Sequence, residues 1–409
     1  MTTRVQAAHL AHRYATALSD PPPPENFEGQ SLADGAAGVA LLHIERAQAR
    51  TGPWKLAHRW INHAAAGELD ATDSAGLFHG APALAFVLLN TVPHGRFQAL
   101  YSNAWEKLHH HVTALAHHRT EKALARIRRG ELATFAEYDL FCGLTGIGAY
   151  LLRADPTSGA LEQVLHYLVA LTHPVTVDDH RLPGWWVAHD PNRNISAKFA
   201  QGHGNLGVAH GITGPLLLLA QALRRGVSVD GQHEAIHTIC SHLDDWRQDA
   251  DRGPWWPLHL TQAEFTSGQA QQHGPGRPSW CYGTPGIARA GQLAGIALDD
   301  RGLQHMYEAA LYLSLTDPAQ LALVRDASLC HGWAGIYQTT ARAAHDSPYP
   351  HLRTLLPLLG ETLSSHFRTA DDQNVGLLTG TSGSALALSS LTAGAPITQT
   401  GWDACLLID

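Results

Sequence analysis

The residues best suited to chemistry in this sequence are two cysteines and a histidine that stand beside repeated glycines. Cys281 lies two residues before one G-x-x-G motif, and Cys330 with His331 directly precedes the next motif along the chain. Two thiolates and an imidazole suit Zn²⁺, and three protein ligands leave a fourth tetrahedral position for water or substrate, as in catalytic zinc sites. Alternatively, the cysteines are small core residues and the histidine caps a helix. Because both cysteines share one register relative to the motif, we favour a metal site.

Further candidates for the same site precede other copies of the motif. His210 stands directly before a glycine, and an imidazole beside a metal suits the role of general acid. Asp139 lies four residues before another glycine; it could serve the site or cap the backbone amides of its own helix, and the sequence leaves both open. Arg277 could place a fixed cation over the site or be an ordinary exposed arginine. We expect His79 and His203 to be structural.

An internal repeat positions these residues: G-x-x-G followed by an apolar helical run. Seven copies occur, with starts 45, 63, 68, 72, 49 and 48 residues apart, and in the second copy Ala83 takes the place of the second glycine. This spacing suits a helical hairpin, and glycine before a helix permits a tight turn and a close backbone approach. The copies begin at Gly35, Gly80, Gly143, Gly211, Gly283, Gly332 and Gly380.

The repeat predicts an all-α fold built from seven hairpins. The stretches 104–126 and 235–246 have the 3.6-residue periodicity of helices with one wet face, and we predict that they are outer helices. An open solenoid would need polar capping repeats, whereas the last copy is as apolar as the central ones. We therefore favour a closed ring, in which the residues just before the glycines lie around one mouth. These residues are Asp34, His79, Cys142, His210, Tyr282, His331 and Thr379.

The fold is predicted to be one domain over residues 1–409. The longer gaps between repeats leave room for insertions, and we expect a small one at the rim at about 175–200, where the run HRLPGWWVA combines Pro, Gly and two Trp. The remaining cysteines, Cys142, Cys240 and Cys405, are expected to be ordinary packing residues.

Composition excludes several classes of function. The formal net charge is −8 and no block of Lys and Arg occurs, so a charge-based grip on nucleic acid is not expected. Five cysteines in 409 residues do not form a disulfide framework, which fits a reducing cytoplasm. Neither a signal peptide nor an apolar stretch of membrane-spanning length is visible. The 28 histidines predict a sharp change of charge below about pH 6.5.

The motifs SWCYGTPG, LCHGWAGI, NLGVAHGITGP and EYDLFCGLTGIG together resemble those of the lanthionine synthetase C-like (LanC) family, nearly end to end. The resemblance implies an α/α toroid, a double ring of seven inner and seven outer helices, with one Zn²⁺ on Cys281, Cys330 and His331. The family's other active-site positions correspond to Asp139, His210, Arg277 and Tyr282. Ala83 departs from the repeat, and we expect it to affect packing only.

By the same resemblance, the chain would be a lanthipeptide cyclase that adds cysteine thiols to dehydroalanine or dehydrobutyrine in a dehydrated precursor peptide, forming lanthionine or methyllanthionine. A separate dehydratase and an exporter are the implied partners, which would bring this cytoplasmic protein to the membrane surface. No dehydratase-sized segment precedes the first repeat, so we expect a free-standing enzyme. Three alternatives stay open: a prenyltransferase-like thiol alkylation, addition of glutathione to dehydroamino acids, and a peptide scaffold with structural zinc.

Overall fold

The computed structural model describes residues 3–23, 28–91, 95–367, 374–393 and 398–409. Within these ranges the chain is helical apart from four short strands, 3-10 turns and connecting loops. The elements in chain order are α1 (Thr3–Ala17), α2 (Ala36–Gln48), α3 (Trp54–Ala64), α4 (Ala81–Leu89), α5 (Gly95–Arg128), α6 (Phe135–Tyr138), α7 (Leu144–Ala154), α8 (Gly159–Leu171), β1 (Val175–Val177), β2 (His180–Leu182), β3 (His203–Asn205), α9 (Thr213–Arg224), α10 (Gln232–Asp245), β4 (His259–Thr261), α11 (Gln262–Ser267), α12 (Thr284–Ala297), α13 (Arg301–Thr316), α14 (Pro318–Leu321), α15 (Trp333–Asp346), α16 (His351–Phe367) and α17 (Thr381–Ala393).

A helix begins within two residues of the leading glycine of every repeat, which confirms the prediction from the motif. These helices are α2, α4, α7, α9, α12, α15 and α17. Nearly all of their residues are buried, on every side of the helix. Small and apolar side chains around most of the circumference explain this, because a helix without a polar face is stable only when it is covered on all sides.

A second series of helices has one buried face and one wet face: α1, α3, α5, α8, α10, α13 and α16. In α3, for example, the buried residues Ala57, Trp60, Ile61 and Ala64 recur at spacings of three or four, as one stripe of a helix requires. The predicted outer stretches 104–126 and 235–246 fall on α5 and α10, and are confirmed as helical except for Trp246, which caps the end of α10. None of the helices in the described ranges combines the length and the hydropathy needed to cross a bilayer.

The chain divides into two compact units, one made of residues 1–112 and 324–409 and the other of residues 113–323. In the first unit α17 packs against both α1 and α2, and the Arg342 guanidinium donates two hydrogen bonds of 2.7 Å to the buried Asp403 carboxylate. In the second unit α12 packs against α9 and α13. That residues 1–409 form one domain stays a prediction.

Both small sheets belong to the second unit. The segment predicted to be an insertion contains an antiparallel pair, in which Val175 of β1 faces Leu182 of β2. Strand β3 pairs with β4, with His203 opposite Thr261, although 53 residues separate the two strands. This second pairing fixes the loop that leads into α9.

In most copies of the repeat, the same steric constraint explains why the last position of the G-x-x-G motif is glycine. In five repeats, a Cβ atom added at this glycine would press against the carbonyl oxygen of the residue six positions earlier, closer than real Cβ atoms approach. The leading loop therefore folds back onto the first turn of its helix, and only glycine leaves room for it. The glycines are Gly38, Gly214, Gly286, Gly335 and Gly383. Ala83 of the second repeat is fully buried in α4.

This steric limit predicts the effect of one methyl group. Gly286→Ala would place Cβ against the Trp280 carbonyl and within 2.8 Å of Val208, and we expect the free energy of unfolding to fall by about 3 kcal/mol, the upper range for overpacking against rigid atoms. Denaturant unfolding measures the change. Gly274→Ala is the matched control, because a Cβ there meets nothing within 4 Å. Equal stability of the two variants would contradict the steric argument.

Three buried histidines make the fold sensitive to acid. Burial lowers the pKa of His43, His203 and His242 from 6.5 to about 4 in each case. Between pH 6.5 and 4 the unfolded chain therefore binds more protons at these positions than the folded chain does. The free energy of unfolding must fall as the pH falls through this window, by about 1.4 kcal/mol per pH unit for each group.

His242 offers the cleanest test, since its buried Nε2 has no hydrogen-bond partner within the described residues. We expect His242→Leu to make the unfolding midpoint less dependent on pH between 6.5 and 4. His237→Leu, on the exposed face of the same helix, should leave the dependence unchanged. If the unfolding midpoint of His242→Leu depended on pH as strongly as that of the wild type, this histidine would not be held neutral in the folded protein.

Candidate functional site

Backbone hydrogen bonds join the loops that precede neighbouring repeat helices in the second unit. Leu140 N donates to Ala209 O at 3.2 Å, and Val208 N donates to Cys281 O at 2.9 Å. The loops before α7, α9 and α12 therefore stand side by side in the register that the sequence predicts. As a result, the backbone of Cys281 lies directly beside the residues that lead into His210.

The same arrangement holds among the loops of the first unit. Cys330 N donates to Leu378 O at 2.8 Å, and Leu378 N donates to Ala33 O at 2.9 Å. The side chains at the next position are also linked, because Thr379 donates a hydrogen bond of 2.8 Å to Asp34 Oδ1. Here, equivalent positions of the sixth and seventh repeats, and of the seventh and first repeats, are neighbours.

Asp139 and His210 form a pair at the start of α7 and α9. His210 Nδ1 lies 2.7 Å from Asp139 Oδ2, while Asp139 Oδ1 accepts hydrogen bonds from the amides of Cys142 at 2.7 Å and Gly143 at 2.9 Å. The carboxylate is fully buried, and the imidazole is 25% exposed. The two interpretations of Asp139 therefore do not exclude each other, since one oxygen caps its own loop and the other holds the histidine; that Asp139 serves an active site stays a prediction.

Aromatic rings fix the plane of the His210 imidazole. Phe135 stacks on it at a centroid distance of 5.5 Å, and Phe141 lies at 4.9 Å. The Tyr138 hydroxyl donates to the His210 carbonyl at 3.3 Å. Because Nδ1 is engaged by Asp139, exchange of a proton with a bound molecule would use Nε2. An imidazole held in this way can work as a general acid or base.

Arg193 lies beside the Asp139–His210 pair, and the sequence did not indicate it. Its Nη2 lies 3.4 Å from Asp139 Oδ2 and 3.7 Å from Cys142 Sγ. No motif surrounds Arg193, and only the tertiary fold brings it to a carboxylate 54 residues away. Cys142 also differs from expectation: Cys240 and Cys405 are buried packing residues as predicted, whereas Cys142 is partly exposed beside this carboxylate.

Arg277, Cys281 and Tyr282 lie on the loop before α12. Cys281 is 7% exposed, with Sγ 3.7 Å from the Ser279 hydroxyl. The Tyr282 hydroxyl accepts a hydrogen bond of 2.9 Å from the buried Asn205 side chain, which fixes the ring against the backbone of the loop before α9. Arg277 is partly exposed.

Cys330 and His331 occupy the corresponding loop of the first unit, before α15. Both are partly exposed. Asp326 Oδ2 lies 3.6 Å from His331 Nε2, and Asp326 Oδ1 accepts a hydrogen bond of 2.9 Å from Ser328 N. A carboxylate beside a histidine is the usual support for an imidazole that binds a metal. Thiols at Cys281 and Cys330 and an imidazole at His331 match the donor preference of zinc.

Comparisons with known proteins agree on one family. The sequence profile of the family described as lanthionine synthetase C-like protein matches residues 26–407. The nisin biosynthesis protein NisC of Lactococcus lactis subsp. lactis is 24% identical over 285 residues, 68% of this chain, and the chain covers 66% of that relative's length, just under two thirds.

A solved structure named nisin cyclase superposes with a TM-score of 0.78 at 20% identity, over 98% of this chain and 96% of the other. At this level of identity the likeness establishes the fold. It confirms the predicted fold class, all-α of the α/α-toroid type.

Proposed function

The chain belongs to the lanthionine synthetase C-like family, and from this premise we propose that it is a zinc-dependent lanthipeptide cyclase. It would form lanthionine and methyllanthionine by intramolecular Michael-type addition of cysteine thiols to dehydroalanine or dehydrobutyrine in a dehydrated precursor peptide. The observation that carries the proposal is the 2.7 Å hydrogen bond between His210 and a buried carboxylate. It provides the positioned proton donor that an addition of this kind needs.

The metal site of the proposal consists of Cys281, Cys330 and His331, with one Zn²⁺ per chain. Support comes from the shared register of the two cysteines, from the donor chemistry, and from Asp326 beside His331. When bound, zinc supplies the positive charge that favours the thiolate form of a substrate cysteine, which at neutral pH is otherwise a minor species.

The remaining steps fall to side chains of the second unit. Attack of sulfur on the β-carbon moves negative charge onto the neighbouring carbonyl, and a fixed cation or donor must meet it. We assign this task to Arg277. His210 Nε2 then delivers a proton to the α-carbon, completing the addition of S and H across the double bond. Asp139 holds the ring in the orientation and tautomer that present Nε2, and Tyr282, fixed by Asn205, would contact the peptide.

Family membership also supports the proposed setting. The substrate would be a dehydrated precursor peptide, supplied by a separate dehydratase and passed on to an exporter. The protein would work in the cytoplasm. A biosynthetic complex with the dehydratase and the exporter would link it peripherally to the membrane.

Tandem mass spectrometry distinguishes the proposal from its rivals. A dehydrated peptide that contains cysteine is incubated with zinc-loaded protein, with and without glutathione. We expect an unchanged peptide mass and loss of fragment ions between the joined residues, because cleavage inside a thioether ring releases nothing. A gain of one glutathione would instead show intermolecular thiol addition. Complete fragmentation in both samples would indicate a scaffold.

A further inference from the structure

A tight turn at residues 190–194 presents Arg193 to the Asp139–His210 pair. The Asp190 carboxylate accepts hydrogen bonds of 2.9 Å from the amides of Asn192 and Asn194, and Asp190 N donates to Asn194 O at 2.8 Å. Asp190 O also accepts from Arg193 N at 2.9 Å. The turn is therefore stabilised by its own hydrogen bonds, and Ile195 just after it is 96% exposed.

The backbone of Arg193 is strained. Its φ is +64°, in the left-handed region, where a side chain other than Asn, Asp or Gly costs about 1 kcal/mol or more. Asn192 and Asn194 flank it, yet the arginine occupies the strained position. Residues kept in such conformations cluster at functional sites, so the contacts of the Arg193 guanidinium are candidates for a functional role.

The Arg193 guanidinium lies beside the buried Asp139 carboxylate, whose negative charge a nearby cation would stabilise. Asp139 is fully buried, and an uncompensated charge in that position would cost several kcal/mol. Two amides bind Oδ1, and His210 together with Arg193 binds Oδ2. Among the contacts to Asp139 that the structure describes, Arg193 brings a permanent positive charge, because a guanidinium stays protonated.

We propose that Arg193 is a positioning residue that holds the Asp139 carboxylate in the orientation from which it presents His210 Nε2 to the substrate. The inference rests on the proposed cyclase function. Without the guanidinium, the buried carboxylate would lose the permanently charged partner that fixes its position, and the His210 ring would be held less firmly. Arg193 itself exchanges no proton and makes no contact with the reacting atoms. The proton that reaches the α-carbon leaves His210 Nε2.

Two substitutions at Arg193 separate positioning from a structural role. Arg193→Asn removes the charge but suits the left-handed backbone, so we expect a folded protein with a kcat about 10- to 100-fold lower than wild type and a KM within about 3-fold. Arg193→Lys keeps the charge and should recover most of kcat. Wild-type kcat in Arg193→Asn, or no gain with lysine, would overturn the proposal.

The matched control is Arg50→Asn, which makes the same change at another arginine of left-handed conformation, with φ +58°. Arg50 lies in the other compact unit, just after α2. We expect its kcat to equal that of the wild type. An equal loss of kcat in both variants would show a general effect of losing an arginine and would also overturn the proposal.

Cys142 reports on Arg193 without any cyclase assay. Burial and the Asp139 charge raise the pKa of the Cys142 thiol, while Arg193 and Arg119 oppose the shift. Iodoacetamide alkylation of Cys142, followed by peptide mass spectrometry against pH, should show its half-maximal rate at higher pH in Arg193→Asn and near the wild-type pH in Arg193→Lys. An unmoved midpoint would contradict the placement of the guanidinium. Because no ring formation is needed, this result stands even if the cyclase proposal fails.

Discussion

Cys330→Ala protein is expected to lose both its zinc and its ability to form thioether rings. In the proposed site three ligands hold the zinc ion, and removal of one thiolate removes charge and a strong bond that the two remaining ligands would not replace. Ring formation should fall by about 10³-fold or more, since stabilisation by a metal ion contributes several kcal/mol to such a reaction. Metal analysis of purified protein and peptide mass spectrometry measure the two losses.

Cys240→Ala is the matched control for this loss, because Cys240 is a buried packing residue on α10. It should keep about one zinc ion per chain and form rings at the wild-type rate. Full zinc content in Cys330→Ala would show that this thiol is not a ligand. Ring formation by zinc-free Cys330→Ala at the wild-type rate would remove the metal from the mechanism altogether.

His210→Ala should lower kcat by about 10²- to 10⁴-fold, the usual contribution of a general acid, while the zinc content stays that of the wild type. The physical reason is that the α-carbon would have to take its proton from water instead of from a group that Asp139 holds in place. Asp139→Asn should also lower kcat. The asparagine amide nitrogen, in the place of Oδ2, would donate a hydrogen bond to Nδ1 and so reverse the tautomer of the ring.

His79→Ala provides the comparison, since His79 has the same register before its glycine but pairs with Glu28 and Asp70 at 3.1 and 3.3 Å. We expect it to keep wild-type kcat. Loss of zinc in His210→Ala would move this histidine from the acid role to the metal site. Full activity in His210→Ala would refute the acid assignment and leave the zinc ligands untouched.

The helices were predictable from the sequence because their requirement is local. The second glycine must clear a carbonyl only six residues away, as Gly286 does with Trp280, and the apolar run that follows is long enough to define a helix. Asp139 and His210 could be singled out for the same reason, since each stands at a fixed distance from a repeat glycine. Their pairing follows from the neighbouring positions of the loops, which Leu140 and Ala209 hold together.

Features that depend on distant residues escaped prediction. Arg193 carries no motif, and its role depends on a turn that Asp190 stabilises and on a carboxylate on another loop. The pairing of β3 with β4 is likewise invisible, because each strand has three residues and neither shows a periodic pattern of its own. A side chain on a loop that carries no sequence motif can be assigned to a site only once the fold is known.

The measurement that tests the central claim most directly is the number of free thiols in a dehydrated, cysteine-containing peptide before and after incubation with zinc-loaded wild-type protein. Alkylation with iodoacetamide followed by mass spectrometry counts them. We predict that thiols disappear while the mass of the unlabelled peptide stays the same, because an intramolecular addition neither gains nor loses atoms. Zinc-loaded protein that leaves every thiol of such peptides free would contradict the assignment as a cyclase.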